Sequence, residues 1–164
     1  MQITNFKDMY IAELQELVSV ESQIGDALLE MSRMASHPCL RNALLRHGGE
    51  AQFQRQRLEA VLRKHGARAN EHTDQAMQAL VNETKKMFTM LKTNDLRDAG
   101  LIASAQKLEH YEIAAYGTAA ALAGQLDLRD EQRILHASLE EERQADTLLT
   151  NLAKSEVNPD ALAA

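Results

Sequence analysis

Residues 10–35 read YIAELQELVSVESQIGDALLEMSRMA and carry a regular apolar stripe. Its members follow one another at alternating spacings of four and three residues: Tyr10, Leu14, Leu17, Glu21, Ile24, Leu28, Met31 and Ala35. This spacing is typical of a helix that buries one face against the other helices of a bundle. One member, Glu21, is an acid with an aliphatic residue on either side of it along the stripe. The stretch therefore predicts a long helix with one carboxylate near the middle of its buried face.

Three further long helices are predicted from comparable patterns and from the residues that begin and end helices. The predicted spans of the four helices are 5–35, 38–65, 95–124 and 127–151, and Gly66 ends the second. Residues 66–94 form a long connection that is predicted to contain a shorter helix, and residues 155–164 are predicted to be a tail. We therefore expect residues 1–164 to form one all-α domain, a four-helix bundle with one long crossover and a core over about residues 5–153.

The composition favours the same fold and excludes several classes of function. The chain has 164 residues, of which 4% are aromatic, seven are Gly and two are Pro, so an all-β fold is not expected. Its net charge is −6 and it has no basic stripe, which argues against a nucleic-acid partner. No run approaches the roughly 18 apolar residues of a membrane span. Because the chain has a single cysteine, Cys39, and an N-terminus without an apolar leader, we expect a cytoplasmic protein.

Each of the other long helices also places an acid near the middle of its predicted inner face. These acids are Glu50 in the second helix, Glu109 and Glu112 in the third, and Glu142 and Asp146 in the fourth, while His47 shares the face of Glu50. Because the middles of the helices in a bundle meet at one level, we expect these side chains to converge with Glu21.

Converging acids require a compensating charge, because burial of an ionised carboxylate without a partner is very unfavourable. Arg and Lys are absent from the inner stripes of the first, third and fourth helices, so the chain does not supply that charge. Two divalent metal ions, iron or manganese, would supply it, since bridging carboxylates hold paired metals in such bundles. Two other interpretations stay open: the acids turn towards solvent, or cavity water or a dimer interface surrounds them. His47 is either a ligand or a hydrogen-bonded core residue.

The third-helix run EHYEIAAYGT, residues 109–118, resembles the signature of the YciF-like family of ferritin-like proteins, small bacterial proteins linked to stress responses. Three further motifs support the resemblance: Glu21-Ser22-Gln23, His47-x-x-Glu50 and Leu139-x-Glu141-Glu142-x-x-Ala145-Asp146. It covers about residues 5–153. It implies a ferritin-like bundle with an extra helix in the crossover, a homodimer and a carboxylate-bridged two-metal centre.

The sequence departs from the usual ferritin-like ligand pattern at two positions. Two-metal sites of this fold take a Glu-x-x-His motif from each of two helices. The positions of the two histidines are occupied here by Phe53 and Ala145. A carboxylate-rich site is therefore expected, with Glu112 and Asp146 as replacements and His47 as the nitrogen ligand.

Functions of three classes are consistent with these features. The first is a two-metal oxidoreductase that acts on oxygen or peroxide, with iron or manganese held by Glu21, Glu50, Glu109 and Glu142. The second is a non-enzymatic protein of the stress response, in which metal is absent or purely structural. The third is an interaction module that uses residues 66–94 as its surface.

Overall fold

A computed structural model describes residues 2–164. These residues form helices and the connections between them, with no strand in that range. The helices are α1 (Phe6–Met34), α2 (Pro38–Lys64), α3 (Gln75–Met90), α4 (Asn94–Gln125) and α5 (Arg129–Leu152), followed by a π-helical segment (Ala153–Val157) and α6 (Asn158–Ala163). The predicted all-α bundle of four long helices, with a shorter helix in one long crossover, is confirmed. None of the helices in this range combines the length and apolarity that a membrane span needs.

The helix ends are fixed by local side chains and by one glycine. The side chains of Asn5, Asp74 and Thr93 accept hydrogen bonds from the backbone at the starts of α1, α3 and α4. Gly66 follows α2 with φ +67°, a left-handed conformation that glycine adopts without strain, so it ends the helix as predicted.

The four long helices form two pairs of neighbours in the chain. Helix α1 packs along α2, and α4 packs along α5. The short connections at 35–37 and 126–128 make each pair antiparallel. Helix α3 packs against α4 and α1 and so connects the two pairs across one side of the bundle.

The pair α1–α2 is held at close distance by two glycines. A Cβ atom at Gly48 would lie 3.3 Å from Cβ of Leu28 and 3.4 Å from the carbonyl oxygen of Gly25. The absence of a side chain therefore lets the two backbones approach. The neighbouring Gly49 has no atom within 4 Å of its Cβ position, so no contact in the structure requires glycine there.

The core consists of two apolar clusters. The first cluster includes Ile24, Leu28, Leu44, Leu101, Leu108 and Leu149, and the second includes Tyr10, Leu14, Leu58, Leu62, Tyr116 and Leu135. A polar layer of buried residues lies between the clusters: Glu21, His47, Gln54, Glu109, Glu112 and Glu142. In α5, for example, Glu142 is preceded by Leu139 of the second cluster and followed by Leu149 of the first.

The C-terminal residues are ordered as helix, so the prediction of a tail over 155–164 is wrong. Ala153 and Val157 are buried in the first cluster, which explains why the chain continues past α5 along the bundle. The π-helical segment immediately precedes Asn158 and Pro159. Proline lacks a backbone N–H and crowds the carbonyl four residues earlier, so a regular α-helix cannot continue undisturbed there.

Candidate metal centre

Five of the seven predicted ligands meet in the polar layer. Glu21 comes from α1, His47 from α2, Glu109 and Glu112 from α4, and Glu142 from α5. Each of these five residues is at most 6% exposed. The expected convergence of acids at the middle of the bundle is therefore observed for Glu21, Glu109, Glu112 and Glu142.

His47 lies at the centre of this group. Its Nε2 atom is 2.8 Å from Oε2 of Glu109 and 3.1 Å from Oε2 of Glu142. Its other ring nitrogen, Nδ1, is 3.2 Å from Oε2 of Glu50. A proton on Nδ1 would bond to Glu50 and leave the lone pair of Nε2 directed at the buried carboxylates, which is the tautomer that a metal ligand needs.

One atom from each of His47, Glu109, Glu112 and Glu142 lies within 4.8 Å of the other three, a spacing compatible with a common metal ion. Many polar atoms of the layer have no hydrogen-bond partner among residues 2–164. They are Nε2 of His47 and the carboxylate oxygens Glu21 Oε2, Glu109 Oε1 and Oε2, Glu112 Oε1 and Oε2, and Glu142 Oε2. The contacts of Nε2 with Glu109 and Glu142 are within ion-pair distance but not in hydrogen-bond geometry. Because buried polar atoms are normally satisfied, this donor set fits a bound cation.

Two residues that are not among the predicted ligands, Tyr116 and Gln54, hold other carboxylate oxygens of the layer. Tyr116 donates a hydrogen bond from its hydroxyl to Oε1 of Glu21. Gln54 donates from Nε2 to Oε1 of Glu142 and, at 3.0 Å, to Oε2 of Glu141. A signal for both was present in the sequence: Tyr116 follows Glu112 by one helical turn, and Gln54 lies seven residues after His47 on the same face of α2.

Two predicted ligands lie outside the buried group. Glu50 was expected to be the inward acid of α2, but 42% of its side chain is exposed and His47 occupies the inward position instead. Asp146 does not join the group either, because its Oδ1 atom accepts a hydrogen bond from Gln106 and lies 3.1 Å from Nε2 of His110. Glu50 is thus placed to orient His47, and Asp146 bonds to α4 away from the centre.

The surroundings oppose simultaneous ionisation of the buried carboxylates. Burial, followed by the charge of Glu142, raises the pKa of Glu21 and of Glu112 well above the ordinary value, and burial raises the pKa of Glu109 to about 7. Burial also acts to raise the pKa of Glu142, but the contacts with His47 outweigh it and lower that pKa. Burial opposes a charge on His47, yet Glu109 and the other acids raise its pKa. The chain by itself therefore retains protons that a metal ion would displace.

A cavity of about 220 Å³ leads to this layer between α2 and α5. His47 and Glu109 line its inner part, and Arg46, Ala145 and Leu148 are among the other residues around it. Ala145 is the position at which the Glu-x-x-His pattern would place a histidine. The small side chain leaves room for a small molecule beside the buried carboxylates.

Comparison with known proteins agrees with this fold. The family described as a domain of unknown function, DUF892, matches residues 5–162. Protein YciF of Escherichia coli K12 is 37% identical over 162 residues, which are 98% of each chain. The crystal structure of this E. coli stress protein superimposes with a TM-score of 0.89 over 95% of this chain and 99% of YciF.

Two further solved structures share the architecture. YcfI of Rhodopseudomonas palustris, which has been suggested to be a structural protein, is 34% identical, with a TM-score of 0.87 over 91% of this chain and 95% of YcfI. A protein of Xanthomonas campestris pv. campestris is 17% identical, with a TM-score of 0.78 over 94% and 95% of the two chains, and shows the fold alone. By the family match and the identity to YciF, the chain belongs to the YciF-like (DUF892) family of ferritin-like helical proteins.

Proposed function

We propose that the polar layer binds two divalent metal ions, iron or manganese. His47, Glu109, Glu112 and Glu142 would hold one ion, and Glu21 with the shared carboxylates would contribute to the second. The observation that supports this most directly is the set of six buried carboxylate oxygens without a hydrogen-bond partner in the part of the chain that the structure describes. Oxygen ligands with a single imidazole suit iron and manganese better than they suit softer ions.

The residues around the layer have positioning roles in this proposal. Glu50 fixes the orientation of the His47 ring through Nδ1, and Gln54 and Tyr116 hold one oxygen each of Glu142 and Glu21. The two apolar clusters keep bulk water away from both ends of the layer. Such fixed ligands and a dry environment are what a protein contributes to a metal site.

We infer that the loaded protein acts on oxygen or peroxide in a stress response. Iron or manganese would supply the redox chemistry when bound. The chain supplies the cavity beside Ala145, whose size suits a small oxidant and which reaches His47 and Glu109. The description of the E. coli relative as a stress protein supports the same context.

The test is the metal content of untagged protein, measured by elemental analysis after reconstitution with iron or manganese. We expect about two equivalents per chain, as in carboxylate two-metal bundles, and their loss in Glu142→Gln. The matched control is Glu140→Gln, which changes an exposed acid of the same helix. A parent protein that binds neither metal would overturn the proposal. Oxygen and peroxide consumption by the loaded protein then tests the activity.

A second candidate is a non-enzymatic protein in which the metal only stabilises the bundle. This candidate is favoured because neither Glu-x-x-His motif of the ferritin-like pattern has its histidine. Phe53 occupies one of these positions and is 62% exposed, and Ala145 at the other offers no ligand atom. The suggestion that the R. palustris relative is structural points the same way. Metal binding that raises the melting temperature without any turnover of oxygen or peroxide would select this candidate.

We also propose that the protein forms a homodimer, as the family resemblance implies. Leu45 and Phe53 of α2 are 51% and 62% exposed and would gain from being covered. Analytical ultracentrifugation of the parent and of a Leu45→Ser, Phe53→Ser variant tests this, and a parent that sediments as a monomer would contradict it.

A further inference from the structure

A second group of potential metal ligands lies at one end of the bundle, apart from the polar layer. His37 and Cys39 flank Pro38 at the start of α2, and Glu156 belongs to the π-helical segment after α5. Nε2 of His37 is 3.2 Å from Oε2 of Glu156. One ligand atom from each of the three residues lies within 4.8 Å of the other two. Segments more than 100 residues apart in the chain thus bring a nitrogen, a sulfur and an oxygen ligand together.

We propose that His37, Cys39 and Glu156 form a zinc site that is separate from the polar layer. Cysteine, histidine and carboxylate side chains are the protein ligands of zinc, and sites with three protein ligands complete their shell with water. Adjacent nitrogen and oxygen ligands of a tetrahedral zinc ion, each at about 2.0 Å from it, stand about 3.3 Å apart. The observed 3.2 Å agrees with that separation. A thiolate and a carboxylate together also balance the charge of the ion.

The segment that carries His37 is held in place by other residues. Asp98 of α4 accepts hydrogen bonds from the backbone N–H groups of Ser36 and His37, both at 2.8 Å. Arg41 donates from its guanidinium to the carbonyl oxygen of Ala35. The backbone that carries His37 is therefore already held in place before a metal binds, which reduces the entropy lost on binding.

The site is open to solvent and to ions. Cys39 is exposed, and the side chains of His37 and Glu156 are 19% and 50% exposed. Cys39 and Glu156 also line a cavity of about 510 Å³ between α2 and the C-terminal part of the chain. Binding would release the thiol proton of Cys39 to solvent, and water from the cavity side would complete the coordination.

The presence of a single cysteine gives this proposal a specific test. Titration of the reduced protein with Co²⁺ would produce a thiolate-to-cobalt charge-transfer band, which can come only from Cys39. We expect one equivalent of this signal per chain, displaced by Zn²⁺, absent in Cys39→Ser and strongly weakened in His37→Asn and Glu156→Gln. The band should persist in Glu142→Gln, because the polar layer contains no sulfur. Circular dichroism of each variant checks that it is folded.

Three results would overturn the zinc site. The first is the absence of the band in the folded parent protein. The second is a band that is unchanged in both His37→Asn and Glu156→Gln, which would mean that Cys39 binds cobalt without them. The third is a stoichiometry of half an equivalent per chain, which would place each ion between the cysteines of two chains. None of these results bears on the metal content of the polar layer, so the two proposals fail independently.

Discussion

Nε2 of His47 in α2 lies 2.8 Å from Oε2 of Glu109 in α4, so this contact joins the two antiparallel helix pairs at the middle of the bundle. The same nitrogen is 3.1 Å from Glu142 in α5. His47 is thus the one imidazole of the buried group, and it touches acids from two other helices. Its role can be separated from that of the surrounding carboxylates by substitution.

His47→Ala should abolish most metal binding, because it removes the one nitrogen ligand of the group and leaves only the carboxylates of Glu109, Glu112 and Glu142. The matched control is His110→Ala, since His110 is a 66% exposed histidine of α4 that pairs with Asp146. Elemental analysis of both reconstituted variants measures the difference. Parental metal content in a folded His47→Ala protein would show that His47 is a core residue and not a ligand.

Glu112→Gln should stabilise the metal-free protein while it weakens metal binding. Neither carboxylate oxygen of Glu112 has a hydrogen-bond partner among the described residues, whereas an amide can donate to the neighbouring acids. We expect a gain of about 1 kcal/mol or more in the free energy of unfolding at about pH 8. Urea unfolding with a chelator present measures this, and the exposed Glu140→Gln should change stability little. A destabilised Glu112→Gln protein would contradict the prediction.

The stability of the metal-free protein should fall as the pH rises from about 4.5 to about 7. The pKa of Glu109 is raised from 4.5 to about 7 by burial, so in this range the native state keeps a proton that the unfolded chain releases. That group alone corresponds to roughly 3 kcal/mol. Glu21 and Glu112 act in the same direction, and His47 adds to the loss above its ordinary pKa of 6.5.

The lowered pKa values of Glu50 and Glu142 act in the opposite direction, but only near and below pH 4.5. Urea midpoints at about pH 5 and about pH 8, with and without bound metal, test this dependence. Bound metal should reduce the change in stability between these pH values, because the ions replace the protons of the buried carboxyl groups. Equal midpoints for the metal-free protein at both pH values would refute the predicted protonation of the layer.

The two adjacent glycines of α2 should respond differently to alanine. Gly49→Ala should stabilise the protein by about 0.5–1 kcal/mol, because its Cβ would meet no other atom and alanine favours helix. At Gly48 the same helical gain is opposed by contacts at 3.3 and 3.4 Å with α1, so the net gain should be smaller or negative. Thermal unfolding of the two variants gives the comparison. Equal gains would mean that α1 and α2 are not held in close contact at Gly25.

Ala145→His should tighten metal binding. The substitution restores Glu-x-x-His in α5 and directs an imidazole into the cavity that already contains His47 and Glu109. The control is Ala145→Leu, which fills a similar volume without a ligand atom. We expect slower loss of metal to a chelator in the histidine variant and no such gain in the leucine variant. Similar behaviour of both variants would show that filling the cavity, and not the added nitrogen, is what matters.

The sequence was sufficient to predict the four long helices and the level at which the acids meet, because Glu21, Glu112 and Glu142 interrupt otherwise apolar stripes. The predicted inner face of α2, which included Glu50, differs from the observed one by about one residue. The buried residues of that helix follow the spacing of α1, namely Leu40, Leu44, His47, Ala51, Gln54, Leu58 and Val61. The regular spacing places His47 on the inner face and leaves Glu50 at its edge, where 42% of its side chain is exposed.

Other features depend on tertiary contacts that local patterns do not contain. The presence of Pro159 predicts a tail over 155–164, yet Val157 is buried against the bundle and the chain continues there as helix. The hydrogen bonds of Tyr116 to Glu21 and of Gln54 to Glu142 join residues 95 and 88 positions apart. Such pairs become predictable only when the mutual rotation of the helices is known.

The division of the core by the polar layer has a consequence for how mutational effects combine. Leu28 belongs to the first apolar cluster and Leu62 to the second, and both are fully buried. Two substitutions are energetically coupled when the residues share contacts. The polar layer separates the residues that contact Leu28 from the residues that contact Leu62. Truncation of both to alanine should therefore cost the sum of the single losses, whereas two truncations within one cluster should not. With respect to mutational effects, the protein therefore has two independent hydrophobic cores that are formed by the same four long helices.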